Sequence, residues 1–184
     1  EDLPDDQVPQ EQRPLVLVVE DNADMNRFVC ETLSVEYRTE SALDGRMGLE
    51  KALRNVPDLV LTDLMMPGMS GDQLVQAIRA SPELDDTPVV LLSARSDDVL
   101  RARLLREGAQ DFMLKPFSAD ELRARVANLI SMKRTRQLLQ KELNTQMHDV
   151  ELLAREVTHQ KHEMQGAIDG MRSAGEIIRR YRPG

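Results

Sequence analysis

The sequence predicts an α/β fold: a doubly wound, five-stranded parallel sheet with a long C-terminal α-helix that forms a coiled coil. Three observations predict it. From Leu15 onward, short apolar runs alternate with stretches of helical period, as strands covered on both faces require. Four of those runs end in polar residues that could meet at one sheet edge: Val18-Val19 in Glu20-Asp21, Leu59-Val60-Leu61 in Asp63, Leu91-Leu92 in Ser93, and Met113-Leu114 in Lys115. From Ser118 to about Tyr181 there is no proline, and apolar residues recur every seven positions.

Taken in order, residues 1–14 hold three prolines and five acids, and read as a disordered acidic tail or linker. Leu15 to Val19 is the first strand. Asp24 to Ser34 is a helix with Met25, Phe28, Val29 and Leu33 inward. Tyr37 to Ala42 is a weak, partly polar strand, expected near an edge. Gly45 to Leu53 is a helix presenting Met47, Leu49 and Leu53, and Pro57 stops it. Leu59 to Thr62 is the next strand, and Pro67, Gly68 and Gly71 force a loop after Asp63.

The second half repeats the alternation. Asp72 to Ala80 is a helix with Leu74, Val75 and Ile78 inward. Pro82 and Pro88 bracket a loop before the strand Val89 to Leu92. Asp97 to Arg106 is a helix with Val99, Leu100, Leu104 and Leu105, ended by Gly108. Asp111 to Leu114 is the last strand. Ser118 then caps a helix, with Glu121 at the spacing of a capping box. Five βα units fit the flavodoxin-like strand order 2-1-3-4-5, which gathers the ends of strands one, three, four and five.

Composition narrows the function. A net charge of −8 argues against unaided binding to nucleic acid or an anionic membrane. The single Cys30 excludes an intramolecular disulfide framework and fits a reducing compartment. No apolar run approaches membrane-spanning length and no signal-peptide pattern opens the chain, so a cytoplasmic location is expected.

Crowded together, Glu20, Asp21 and Asp63 repel one another and stay ionised near neutral pH only with a cation between them. Carboxylates, a carbonyl and waters suit Mg²⁺. The cation leaves one oxygen of Asp63 as a nucleophile toward a phosphoryl group, with Lys115 and the Ser93 hydroxyl placed to bind its other oxygens. Residues 15–131 resemble the receiver domain of two-component response regulators. The likeness is carried by Glu20-Asp21, by Asp63 in Leu-Thr-Asp-Leu-Met-Met-Pro-Gly-Met-Ser-Gly, by Ser93-Ala-Arg, and by Gly108-Ala-Gln-Asp-Phe-Met-Leu-Lys-Pro-Phe. The resemblance implies phosphorylation of Asp63 by a histidine kinase or phosphotransfer protein, catalysed in part by the receiver itself. It implies Mg²⁺ ligation by Asp21, Asp63 and the Met65 backbone carbonyl, with Glu20 acting through water. It also implies Ser93 as the switch hydroxyl, Phe112 as a switch aromatic, and Lys115 as the phosphate partner before a cis Pro116. Met65 and Arg95 occupy the variable positions that flank such sites.

Residues 132–184 read as a coiled-coil extension. Leu143, Val150, Val157, Met164, Met171 and Ile178 recur as one column, with Arg136 the exception. Leu139, Gln146, Leu153, Gln160, Ala167 and Tyr181 belong to a second, three residues on. A homodimer through this helix is expected, with Glu156 facing Lys161 of a parallel partner. His148-Asp149 faintly resembles the phosphoacceptor helix of one histidine-kinase class, which supplies the alternative reading of a hybrid-kinase fragment. No ATP-binding motif follows it. His159 and His162 read as a solvated face, and Lys133, Arg134 and Arg136 are too few charges for a groove-reading region. Gly166, Gly170 and Gly175 lead us to expect fraying, a bend or a chain reversal near the end.

Overall fold

A computed structural model describes residues 12–94 and 98–180. The expectations for most of the acidic segment, for Arg95, for a helix start at Asp97 and for Tyr181 lie outside these residues, as does the side chain of Ile178. The chain divides into two units between Thr135 and Arg136.

The first unit holds β1 (Leu15–Val19), α1 (Ala23–Leu33), β2 (Arg38–Ala42), α2 (Gly45–Asn55), β3 (Leu59–Asp63), α3 (Gly71–Arg79), β4 (Val89–Ser93), α4 (Asp98–Arg106), β5 (Asp111–Leu114) and the start of α5 (Ala119–Arg180). The sheet order is β2-β1-β3-β4-β5, and every pairing is parallel. This is the predicted order. Alternate strand residues feed two cores, because successive side chains leave a strand on opposite faces. Leu17, Val60, Leu91 and Phe112 pack with Leu74, Ile78 and Leu104 on the α2–α4 side. Val16, Leu61, Val90 and Met113 pack with Val29, Leu33, Leu122 and Val126 on the α1–α5 side.

Three helix faces differ from the sequence reading. In α1 the buried residues are Asn26, Val29 and Leu33, while Phe28 is 40% exposed, with its ring centroid 6.5 Å from that of Phe117. In α2 the small residues Gly45, Gly48 and Ala52 face inward, with Leu49 partly buried; Met47 and Leu53 are exposed. The reason is proximity to β1: a Cβ on Gly48 would stand 2.8 Å from Val19 Cγ2, so a larger side chain has no room. In α4 only Leu104 is buried and Leu100 partly so, whereas Val99 and Leu105 face solvent. The α3 face of Leu74, Val75 and Ile78 is as predicted.

Capping explains several boundaries. The Asn22 and Asp44 side chains accept from the Met25 and Met47 N–H groups, starting α1 and α2. The Ser118 hydroxyl accepts from the Glu121 N–H at 3.1 Å, starting α5. In its first turns α5 buries Leu122, Val126 and Ile130. Lys133, read from the sequence only as one of three basic residues before the heptads, is 7% exposed and donates to the Pro57 carbonyl. In the second unit the described residues are helix α5 through to Arg180. It passes Gly166, Gly170 and Gly175 without interruption, against expectation. Each glycine costs only up to about 1 kcal/mol, and strong helix formers such as Gln165, Met171 and Glu176 flank them. Among the described residues no helix is long and apolar enough to cross a membrane.

Candidate functional site

Strand ends build the site. Glu20 follows β1 directly; its N–H donates to the Ala42 carbonyl, which holds it against β2. Asp63 is the last residue of β3. The loop after it turns back closely: Gly71 N–H donates to the Leu64 carbonyl, and a Cβ on Gly71 would collide with the Asp63 carbonyl oxygen. Only glycine allows α3 to begin so near that strand end. Ser93 closes β4 and is buried beside Leu114, and its carbonyl accepts from the Lys115 N–H at 2.8 Å. The chain thus delivers Lys115 across the top of two neighbouring strands.

Four of the predicted residues meet. Lys115 Nζ lies 2.6 Å from Glu20 Oε2 and 3.0 Å from Asp63 Oδ1. Glu20 Oε1 accepts from the Asn22 N–H at 3.3 Å. One carboxylate oxygen from each of Glu20, Asp21 and Asp63 falls within 4.8 Å of the others. Glu20 is 1% exposed and Asp63 7%. Among the described residues, no hydrogen bond reaches Asp63 Oδ2.

The electrostatics follow from burial and pairing. Burial pushes the Glu20 carboxyl above its usual value; the hydrogen bond from Lys115 opposes that rise and the charge of Asp63 adds to it. Burial also disfavours the Lys115 ammonium, yet its bonds to Glu20 and Asp63 outweigh this and hold its pKa above the ordinary lysine value. A cation is therefore fixed between two buried acids. The donor set contains only carboxylates and no His or Cys, which suits a small hard cation.

Other predicted residues stand apart from the cluster. Phe112 is 5% exposed and packs in the α2–α4 core, opposite Leu91 on β4. Met65 follows β3 with its side chain exposed. The Lys115–Pro116 peptide is cis, as the resemblance implied. His148 lies exposed on α5. Sequence reasoning missed Asn26, which is buried and donates from Nδ2 to the carbonyls of Glu20 (3.1 Å) and Ala42 (3.0 Å). The available signal was a polar residue in step with Val29 and Leu33 on the inward face of α1.

Comparison with known proteins identifies the family and the fold. A family model described as response regulator receiver domain matches residues 16–127. Sensor histidine kinase TmoS of Ectopseudomonas mendocina is 49% identical over 156 residues, covering 85% of this chain and 16% of that protein. Hybrid signal transduction histidine kinase D of Dictyostelium discoideum is 47% identical over 146 residues, covering 79% of this chain and 9% of that protein. The chain thus spans less than a fifth of either kinase. The solved receiver domain of the Francisella response regulator 1452 superposes with a TM-score of 0.61 at 32% identity, covering 65% of this chain and 98% of the other. With that family model matching more than half of the chain and the strand order of a receiver fold, the chain belongs to the response regulator receiver domain family of two-component signalling.

Proposed function

We propose that Asp63 accepts a phosphoryl group from a phosphohistidine on a histidine kinase or phosphotransfer protein, and that the change is passed on through α5 to a homodimer. The observation that carries this reading is the Lys115 ammonium held between Glu20 and Asp63. In the transfer, an Asp63 oxygen attacks phosphorus, a P–O bond forms, and the P–N bond breaks with its electron pair returning to the imidazole. Asp63 becomes an acyl phosphate. Lys115 pairs with the new phosphoryl oxygens, and the Ser93 hydroxyl is the group that moves to donate to them, drawing its loop along.

Glu20, Asp21, Asp63 and the Met65 carbonyl are the groups that would hold Mg²⁺, with Glu20 acting through water. When bound, the cation neutralises charge among the acids and the arriving phosphoryl oxygens. Phe112 is the aromatic proposed to follow Ser93. The working division is a receiver over 15–131 and a helical extension over 132–184, in the cytoplasm, where the lone thiol of Cys30 stays reduced. An aligned length of 156 residues exceeds what residues 1–131 can supply, so the likeness to the sensor kinase reaches into the extension. No observation favours His148 as the phosphoacceptor over this reading.

The test is incubation with acetyl phosphate and Mg²⁺ followed by intact mass. Wild type should gain one phosphoryl group and Asp63→Asn none. Equal labelling of the two, or none of wild type, rejects the assignment.

A further inference from the structure

Beyond Arg136 the described chain is helix with its apolar side chains in solvent: Leu143 is 50% exposed, Val150 65%, Val157 63% and Met164 66%. In the dimeric reading proposed above a second copy of the chain covers them, and the polar residues within and beside the stripe bear on how that copy would lie.

We propose that α5 pairs with α5 of a second copy, parallel and in register, and that two glutamine layers, Gln146 and Gln160, set that register. The proposal rests on the dimeric reading above and adds the orientation and alignment of the partner.

Two glutamines interrupt the apolar stripe. They sit fourteen residues apart in the column that also holds Leu139, Leu153 and Ala167. In a parallel, in-register pair every column faces itself. Each Gln amide then meets its own copy, and an amide offers both a donor and an acceptor to its twin. In an antiparallel or folded-back arrangement this column faces the other, so Gln146 and Gln160 would be pressed against residues such as Val150 and Val157. A desolvated amide would be left without a partner. Sliding a parallel pair by one heptad is equally disfavoured, because it sets Gln146 and Gln160 against Leu153.

Charge along the helix favours the same orientation independently. Glu142, Asp149, Glu156 and Glu163 form an acidic column bordering the glutamine column. In a parallel pair this column faces the one bearing Met147, Ala154, Lys161 and Ile168 on the partner, so Glu156 meets Lys161 and no acid meets an acid. Running the partner the other way sets the acidic column against itself, where like charges repel. Within its own chain Glu163 has His159 Nε2 at 3.5 Å, a contact charged only when the imidazole is protonated.

The experiment uses the full chain with Cys30→Ala, so that introduced thiols are the only ones. Leu143→Cys and Met171→Cys are oxidised separately, mixed, and combined in one chain. Parallel, in-register pairing predicts a covalent homodimer from each single variant and no Leu143-to-Met171 link in the mixture. A mixed link overturns the orientation, and an intramolecular link in the double variant shows a folded-back helix and overturns it too. Register is read separately: Leu143→Cys mixed with Val150→Cys should cross-link at least about tenfold more once Gln146→Leu and Gln160→Leu are both present. An unchanged yield overturns the role of the glutamines. Sedimentation velocity on the parent chain keeps the two readings apart. A monomer or a tetramer removes the dimer and this proposal with it, whereas a dimer with the wrong cross-links removes this proposal alone. Labelling of Asp63 is measured independently of either.

Discussion

At the ends of β1 and β2 a single buried amide, that of Asn26, holds the carbonyls of Glu20 and Ala42, fixing the backbone from which the Glu20 carboxylate projects. Glu20 itself carries a pH signature. Burial raises its pKa above 4.5, so the folded chain keeps the proton to higher pH than the unfolded chain does. With more protons bound in the native state, stability falls as pH rises from 4.5 through the folded value. Lys115 acts elsewhere: its raised pKa contributes stability that is complete below 10.5 and lost as pH climbs through the folded value. In buffer free of divalent cations, the urea midpoint of wild type should therefore drop between pH 4.5 and neutrality relative to that of Glu20→Gln; parallel curves would refute this. Glu20, Asp63 and Lys115 were legible in the sequence because each ends an apolar run. Asn26, Lys133 and Arg79 were not. All three donate to backbone carbonyls, such as those of Gly108 (3.0 Å) and Thr87 (2.8 Å) for Arg79, and no residue type announces a carbonyl brought near by folding.

Among the elements, strands were easier to read than helix faces. A buried parallel strand needs only an apolar run, and β1, β3 and β4 are buried along their whole length. A helix face depends on how near the helix lies to the sheet. In α2 that distance is so short that Gly48 and Ala52 displace Met47 and Leu53 from the inward side, reversing the order that hydrophobicity suggests. The end of α2 has a cost of its own. Val56 adopts φ 42° and ψ 72°, a left-handed conformation that a β-branched side chain resists, and it is exposed. Asparagine tolerates that region and lacks glycine's entropy cost. Val56→Asn should raise stability by about 0.5–1 kcal/mol, read as a higher urea midpoint at constant m-value. A lower midpoint would show that the valine side chain contributes packing that outweighs its strain.

For the molecule as a whole, a net charge of −8 and an acid cluster in which Glu20 and Asp63 are buried and Asp21 is exposed lead us to expect folding that responds to cations. A ligand that binds only the native state adds about 1.4 kcal/mol at ten times its Kd. Thermal unfolding in Mg²⁺ should thus occur at higher temperature than in chelator, and Asp21→Asn should erase most of the difference. A rise that survives this change would place the responsible cation elsewhere. The strand order and the long helix were both legible as patterns of period, since each repeats one local rule many times. How far α5 belongs to the core was less so, because Lys133 looks like any solvent-facing lysine until its contact with the Pro57 carbonyl is seen.

That anchoring has a further consequence. Starting a helix in water is improbable, on the order of one in a thousand per attempt, whereas lengthening one is nearly free. Because Leu122, Val126 and Ile130 are locked into the sheet's packing, the first turns of α5 exist whenever the receiver is folded. The exposed turns beyond never have to begin on their own: the globular part acts as a seed from which they grow, and loosening that seed shortens everything grown from it.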